Sequence, residues 1–406
     1  MPTKKVLIVT DVFPPGFAPR MGYLSKYLKE FNWDAVALSP LYDRENNTFD
    51  FLSGYIPFEC ITISKEAERL EYKRNIFQKF FSIWFTGLIV SQKLRKEMFS
   101  QGEEILKRNT ISIILCSTSN IFPLHIAHKL SRKYNIPWII DLRDITEEYT
   151  IKDSFLNELR NIFIIRQRNF FIKHAAAVIA VSKPHVDILS KWNANTFLIY
   201  NGFDSELFRY VIPKKCNRFR IVYTGTISIG GVDRDPSMFF SAIRKMKNEN
   251  RIDNEKFRIQ FYTDSKSQEI LTTLALRFEI NEFVDCFNYV PSTEIPDILS
   301  EASILLLLTH GKGIMTTKLF EYLAVGRPVL CVRSDEDAIE ELIEELHAGM
   351  AARTELDAYN FLRKCHEEWK LLGYTNSTTN PEKIKKYSRQ LQAGQFVEFF
   401  DRFKKA

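Results

Sequence analysis

Lys318 and Glu321 stand one turn apart in a stretch that opens with Thr316 and Thr317 and is closed by Gly326 and Pro328. A cation for phosphate and a carboxylate for ribose hydroxyls are what a nucleotide needs from a protein. Residues 304–308 read as a strand, continuous and apolar as a strand covered on both faces must be, and a short helix follows. Thr316 or Thr317 caps that helix. Its first N–H groups, backed by the positive end of the helix dipole, then converge where a phosphate would sit beside Lys318. The same residues also fit a capped structural helix with one solvated glutamate. A second loop, 224–236, carries Gly225, Thr226 and Arg234 between a predicted strand and a predicted helix, a placement that lets backbone N–H groups cradle phosphate or serves as an ordinary strand-to-helix turn. Arg234 and Lys318 are the candidate pair for a diphosphate.

Two more loops, in the first half of the chain, carry charge. Residues 11–20 hold Gly16, which permits close backbone approach, and Arg20, which can meet an anion or lie solvated. Residues 141–144 place Asp141, Arg143 and Asp144 at the end of another predicted strand, where an Asp–Arg pair also braces a loop. Two spacings suggest metals and are discounted. Asp233 and Asp235 have the D-x-D spacing that holds a hard divalent ion. His125 and His128 are three apart on a predicted helix with no third ligand close in sequence, which makes them packing or surface residues.

These residues need elements to hold them. Apolar runs at 6–9, 35–38, 111–115, 138–140, 177–181 and 197–200, then at 220–223, 258–261, 304–308 and 329–332, alternate with amphipathic stretches, the βα pattern of parallel sheets. At 406 residues with 45% hydrophobic content the chain fills two cores. The expectation is an α/β protein with two Rossmann-like, doubly wound parallel-sheet domains facing a central cleft, with ligands beyond the carboxyl ends of the strands. The division runs 1–210, 211–383 and 384–406; the Lys-rich, Pro-containing segment 211–217 is the linker, and the last piece is a helix expected to cross back to the first domain.

The formal charge of +6 suits phosphate ligands or an anionic membrane surface without calling for nucleic acid. Six scattered cysteines with no C-x-x-C pair read as reduced thiols, which points to the cytoplasm. No signal-peptide core or membrane span is apparent in the sequence. The stretch 72–99 is aromatic-rich with basic flanks. It fits either a helix lying at the inner face of the membrane or one that packs on the core.

Residues 318–330, KLFEYLAVGRPVL, resemble the donor-site signature of the retaining glycosyltransferases of family 4, which have the GT-B fold. Four other landmarks resemble that family's in the same order: 137–144, 178–182, 199–208 and 223–227. The resemblance implies a nucleotide-sugar donor, a glycan or lipid-linked acceptor, retention, no metal or other cofactor, and a part in building surface polysaccharide. Glu321 matches the ribose-binding second Glu of the family's E-x₇-E motif, but Gly313 replaces the first, which touches the donor sugar. Thr226 stands where the family usually has Arg, and Arg234 is the nearest cation to the place of its Lys. No His occupies the usual catalytic place near 141–144, where Arg143 or Asp144 stands instead. An arginine is no base at neutral pH, so Asp141, Asp144, Glu147 or the donor phosphate must take the acceptor proton. The rival readings are a nonhydrolysing NDP-sugar epimerase and a noncatalytic GT-B scaffold.

Overall fold

The computed structural model describes residues 3–14, 16–40, 49–55, 92–149, 155–228, 234–309, 315–376 and 379–404. Residue contacts divide the chain into two units, 1–200 with 389–406, and 201–388. Each is built on one parallel six-stranded sheet flanked by helices.

The first sheet contains β1 (Lys4–Thr10), β2 (Trp33–Leu38), β3 (Ile111–Thr118), β4 (Trp138–Leu142), β5 (Ala177–Ala180) and β6 (Thr196–Leu198), in the order β2-β1-β3-β4-β5-β6. Both faces are covered, which is why β1, β3 and β4 are apolar almost throughout. One face, with Leu7, Ile114 and Ile140, packs on helices Gln92–Arg108 and Ile121–Tyr134. The other, with Val6, Ile8 and Leu115, packs against Trp33 and the last helix, Arg389–Phe403, through Phe396 and Phe400. The Trp33 and Phe400 rings lie 5.2 Å apart.

The second sheet contains β7 (Phe219–Thr224), β8 (Phe257–Tyr262), β9 (Val284–Phe287), β10 (Ile304–Leu308), β11 (Val329–Val332) and β12 (Gly349–Ala352), in the order β12-β11-β10-β7-β8-β9. The chain reverses direction across the sheet between β7 and β10, and the crevice beyond their carboxyl ends is where doubly wound folds take ligands. In the first sheet the same switch falls between β1 and β3.

The α/β expectation holds, and ten strands lie where the apolar runs placed them. β9 and β12 are additions. Both are edge strands whose residues stay largely half-exposed or exposed, so no apolar run marks them. Residues 201–210 and 384–388 sit in the second unit, held there by Asn201 Nδ2 donating to Met315 O at 3.0 Å and Phe203 N–H donating to Tyr387 O at 3.2 Å.

Of the stretch 72–99, only residues 92–99 are described. There Leu94 and Met98 are buried in the core and Lys129 Nζ lies 3.9 Å from the Phe99 ring centre. No helix among the described residues is long and apolar enough to cross a membrane. Cys116, Cys216, Cys286, Cys331 and Cys365 are unpaired thiols, and Cys60 lies outside the described residues.

Candidate functional site

In the second unit the candidate residues converge on the switch point. Gly225 follows β7 with φ of +127°, a conformation that disfavours a side chain, and its first side-chain carbon would stand 1.9 Å from Lys318 Nζ. Only glycine lets the lysine lie there. The ammonium also sits 4.9 Å from the centre of the Tyr223 ring. Loss of hydration there, with the Arg234 charge nearby, pushes the Lys318 pKa down to about 7 against the pull of Glu321. The residue as a whole is only half-buried, so it is the setting of its ammonium that sets the direction.

Arg234 reaches the same loop and donates from Nη1 to Thr226 Oγ1. The loop is fixed underneath: Tyr223 O–H donates to Thr226 O at 2.8 Å, and Ile227 N–H donates to Ser267 Oγ at 2.9 Å. Tyr322, whose hydroxyl lies 3.5 Å from Thr224 Oγ1, has its pKa raised to about 12 by burial.

Helix Thr317–Val325 follows β10 and brings Lys318 to this loop. Thr316 occupies its N-cap position, but no side-chain hydrogen bond is made there, so neither threonine supplies the expected cap and the first-turn N–H groups are left to other partners. Gly326 ends the helix with φ of +76°, where a side chain would strike the Tyr210 ring. Glu321 is half-buried one turn inside. Gly313 and Asp233 lie outside the described residues.

In the first unit the charged groups meet each other. Arg20 is 4% exposed and clamps the fully buried Asp141, with Nη2 to Oδ1 at 2.8 Å and Nε to Oδ2 at 3.0 Å. Ser117 O–H adds a bond to Asp141 at 2.7 Å, and Arg20 also donates to the carbonyls of Ile199 and Tyr200. Neither side chain faces solvent. Arg143 pairs with Asp11, and Asp11 also accepts from Asn120 Nδ2 at 2.8 Å, joining the loops after β1, β3 and β4. Asp144 accepts from Ser119 O–H at 2.6 Å on the exposed side of this cluster. Glu147 is held by Arg168, which keeps its carboxyl below the usual range despite partial burial. Gly16 N–H donates to Phe13 O at 3.1 Å within a tight turn.

His125 and His128 are packing residues, His125 against Phe171 and His128 among Trp138, Phe170 and Phe171. Two contributors were not singled out from sequence. Tyr223 reads as one more apolar residue of a strand, and Asp11 as a loop polar group; only the fold puts the first beneath Lys318 and the second against Arg143.

Residues 218–397 match the family model described as Glycosyl transferases group 1. No curated protein matches the chain. Among solved structures, HepE of Anabaena in complex with UDP and glucose is similar at a TM-score of 0.67 and 14% identity, covering 98% of this chain and 100% of that one. Sucrose-phosphate synthase of Thermosynechococcus elongatus is similar at 0.66 and 14%, covering 98% of each. A glycosyltransferase of Rickettsia africae is similar at 0.65 and 13%, again covering 98% of each. The chain thus has the two-domain GT-B fold, and in residues 218–397 it carries the sequence pattern of the glycosyl transferases group 1.

Proposed function

We propose that the protein is a glycosyltransferase that binds a nucleotide sugar at the strand ends of its second unit and transfers the sugar to a glycan or lipid-linked acceptor. The observation that carries this is the seat of Lys318 against Gly225 at the switch point, beside the start of helix Thr317–Val325. A buried ammonium with a depressed pKa is restored by an anion, and a diphosphate brings two. HepE, similar in fold, has been solved with UDP and with UDP-glucose, which supports a donor of that class.

Catalysis of this transfer rests on stabilising the leaving diphosphate as its charge grows. Lys318, Arg234 and the first-turn N–H groups do that, with no metal, and Glu321 takes the ribose. The donor sugar is held without the side-chain contact that the family's first Glu supplies, because Gly313 stands at that position in the sequence. In the first unit, Asp141 and Arg20 are positioning residues because they are buried against each other. Asp144, or the donor phosphate itself, takes the acceptor proton, with Arg143 held beside it by Asp11. The finer reading is retention of configuration by a family 4-like hexosyltransferase, acting at the cytoplasmic face of a membrane in surface polysaccharide synthesis.

The test is release of nucleoside diphosphate from a panel of nucleotide sugars supplied with glycan and lipid-linked acceptors. Release from one donor, lost in Lys318→Ala, is expected, and the anomeric signals of the product report retention. Interconversion of the sugar without release would instead make the protein an epimerase, and neither reaction with any donor would make it a noncatalytic scaffold.

A further inference from the structure

At the amino-terminal ends of β7 and β10, opposite the strand ends that hold Lys318, the second unit contains a cavity of about 290 Å³. Segment 211–217 walls it on one side. Val211 N–H donates to Val325 O at 3.1 Å and Cys216 N–H donates to Gly373 O at 2.8 Å, so the segment is pinned at both ends. The lining is cationic: Lys214, Lys215, Arg220 and Arg327 contribute to it, against the single carboxylate of Glu301. Glu301 is already paired with Arg220. Among the described residues, no carboxylate forms an ion pair with Lys214, Lys215 or Arg327.

Arg327 is the telling member. It is 6% exposed, yet among the described residues the hydrogen bonds of its guanidinium go to one carbonyl, Nε and Nη2 both donating to Ser300 O at 2.9 and 2.5 Å. A buried cation without an anion is costly, and a site that keeps one has a use for the charge. Burial accordingly lowers its pKa. Lys214 and Lys215 are exposed and stand on the pinned segment, with the Lys215 stem lying over Gly373. Hydroxyls complete the lining: Thr375 O–H donates to Ser303 O at 2.6 Å, and Ser303 Oγ accepts from Arg220 N–H at 3.2 Å.

The geometry points to a second ligand site here, one that holds the phosphoryl group of a small phosphorylated molecule between Arg327 and the lysines of segment 211–217. A planar guanidinium and two ammonium groups suit a doubly charged tetrahedral anion. The volume lies at the low end of small-molecule sites, which run from roughly 300 to 1,000 Å³, so a sugar phosphate fits and a nucleotide sugar does not. This inference is independent of the donor-site reading.

The test uses the full chain with inorganic phosphate and with glucose 6-phosphate, read by thermal stabilisation and by the rate of Cys216 alkylation followed by mass spectrometry. Both probes are expected to raise the melting temperature and slow alkylation of Cys216, which lines the cavity. Affinity should fall about tenfold or more in the Lys214→Gln/Lys215→Gln variant and in Arg327→Met, as loss of charge-assisted hydrogen bonds implies. Lys318→Ala should respond like the wild type. The lysine variant, altered only at exposed positions, keeps the test valid if Arg327→Met does not fold. A stronger response to glucose 6-phosphate would assign the whole sugar phosphate and an equal response phosphate alone; both carry the inference. No response to either probe, an undiminished response in the lysine variant, or a response lost in Lys318→Ala would overturn it.

Discussion

At the strand ends of the first unit each guanidinium meets a carboxylate: Arg20 with Asp141, Arg143 with Asp11, Arg168 with Glu147. At the strand ends of the second, Lys318 lies against a glycine and a tyrosine ring with no carboxylate in ion-pair range among the described residues, and Arg234 donates to Thr226. Both regions sit at the switch point of a doubly wound sheet, so topology does not explain the difference. Charge does. In the first unit the polar groups hold loops together, while in the second Lys318 has no ion-paired carboxylate among the described residues and its charge is left for a ligand to neutralise. Residue types alone would rank Arg20 and Asp141 with Lys318 as site candidates, and the ion pair that joins the first two separates them.

The comparison is most easily broken at Asp141. Asp141→Ala strands the buried Arg20 guanidinium and should cost about 3–5 kcal/mol in urea unfolding. Adding Arg20→Met should recover part of that loss, and a small effect of the single change would mean that the pair does not brace the unit. Next in size is Lys318→Met, which should weaken nucleoside diphosphate binding roughly tenfold to a hundredfold by removing a charge-assisted contact.

That variant carries a second signature. The folded-state pKa of Lys318 is lowered to about 7 from 10.5, so between those values the unfolded chain holds the extra proton. Its contribution therefore makes stability rise with pH across that window, and the rise should vanish in Lys318→Met. Unfolding midpoints of both proteins from pH 7 to 10 would show it.

Glu321→Ala should reduce affinity for nucleosides and nucleotides alike by about tenfold, the worth of hydrogen bonds to a charged group, with an unchanged circular dichroism spectrum. The smallest change in stability is expected for Asp144→Asn, within about 0.5 kcal/mol because its bond to Ser119 is exposed. Its turnover should nonetheless fall, and wild-type turnover would remove Asp144 from the transfer step.

Much of the fold was legible because buried parallel strands are written as apolar runs, and β1, β3, β7, β10 and β11 are nearly pure examples. β9 and β12 were not, since an edge strand with one face open needs no such run. The approach of Lys318 to the loop after β7 follows from strands far apart in sequence becoming neighbours, β7 beside β10, which no local pattern announces. Its candidacy came from its place beside a helix start. Arg20 shows the converse: a loop arginine looks available until its partner, distant along the chain, is known.

The most direct test of the account is calorimetric titration of the full chain with UDP, GDP and ADP at pH 6 and pH 8, in buffers of different ionisation enthalpy, alongside Lys318→Met. Selective binding of one nucleoside diphosphate, with proton uptake at pH 8 as Lys318 regains its charge, and binding weakened roughly tenfold to a hundredfold without that uptake in the variant, is the predicted result. No binding of any nucleoside diphosphate, or binding that Lys318→Met leaves intact, would contradict the donor site.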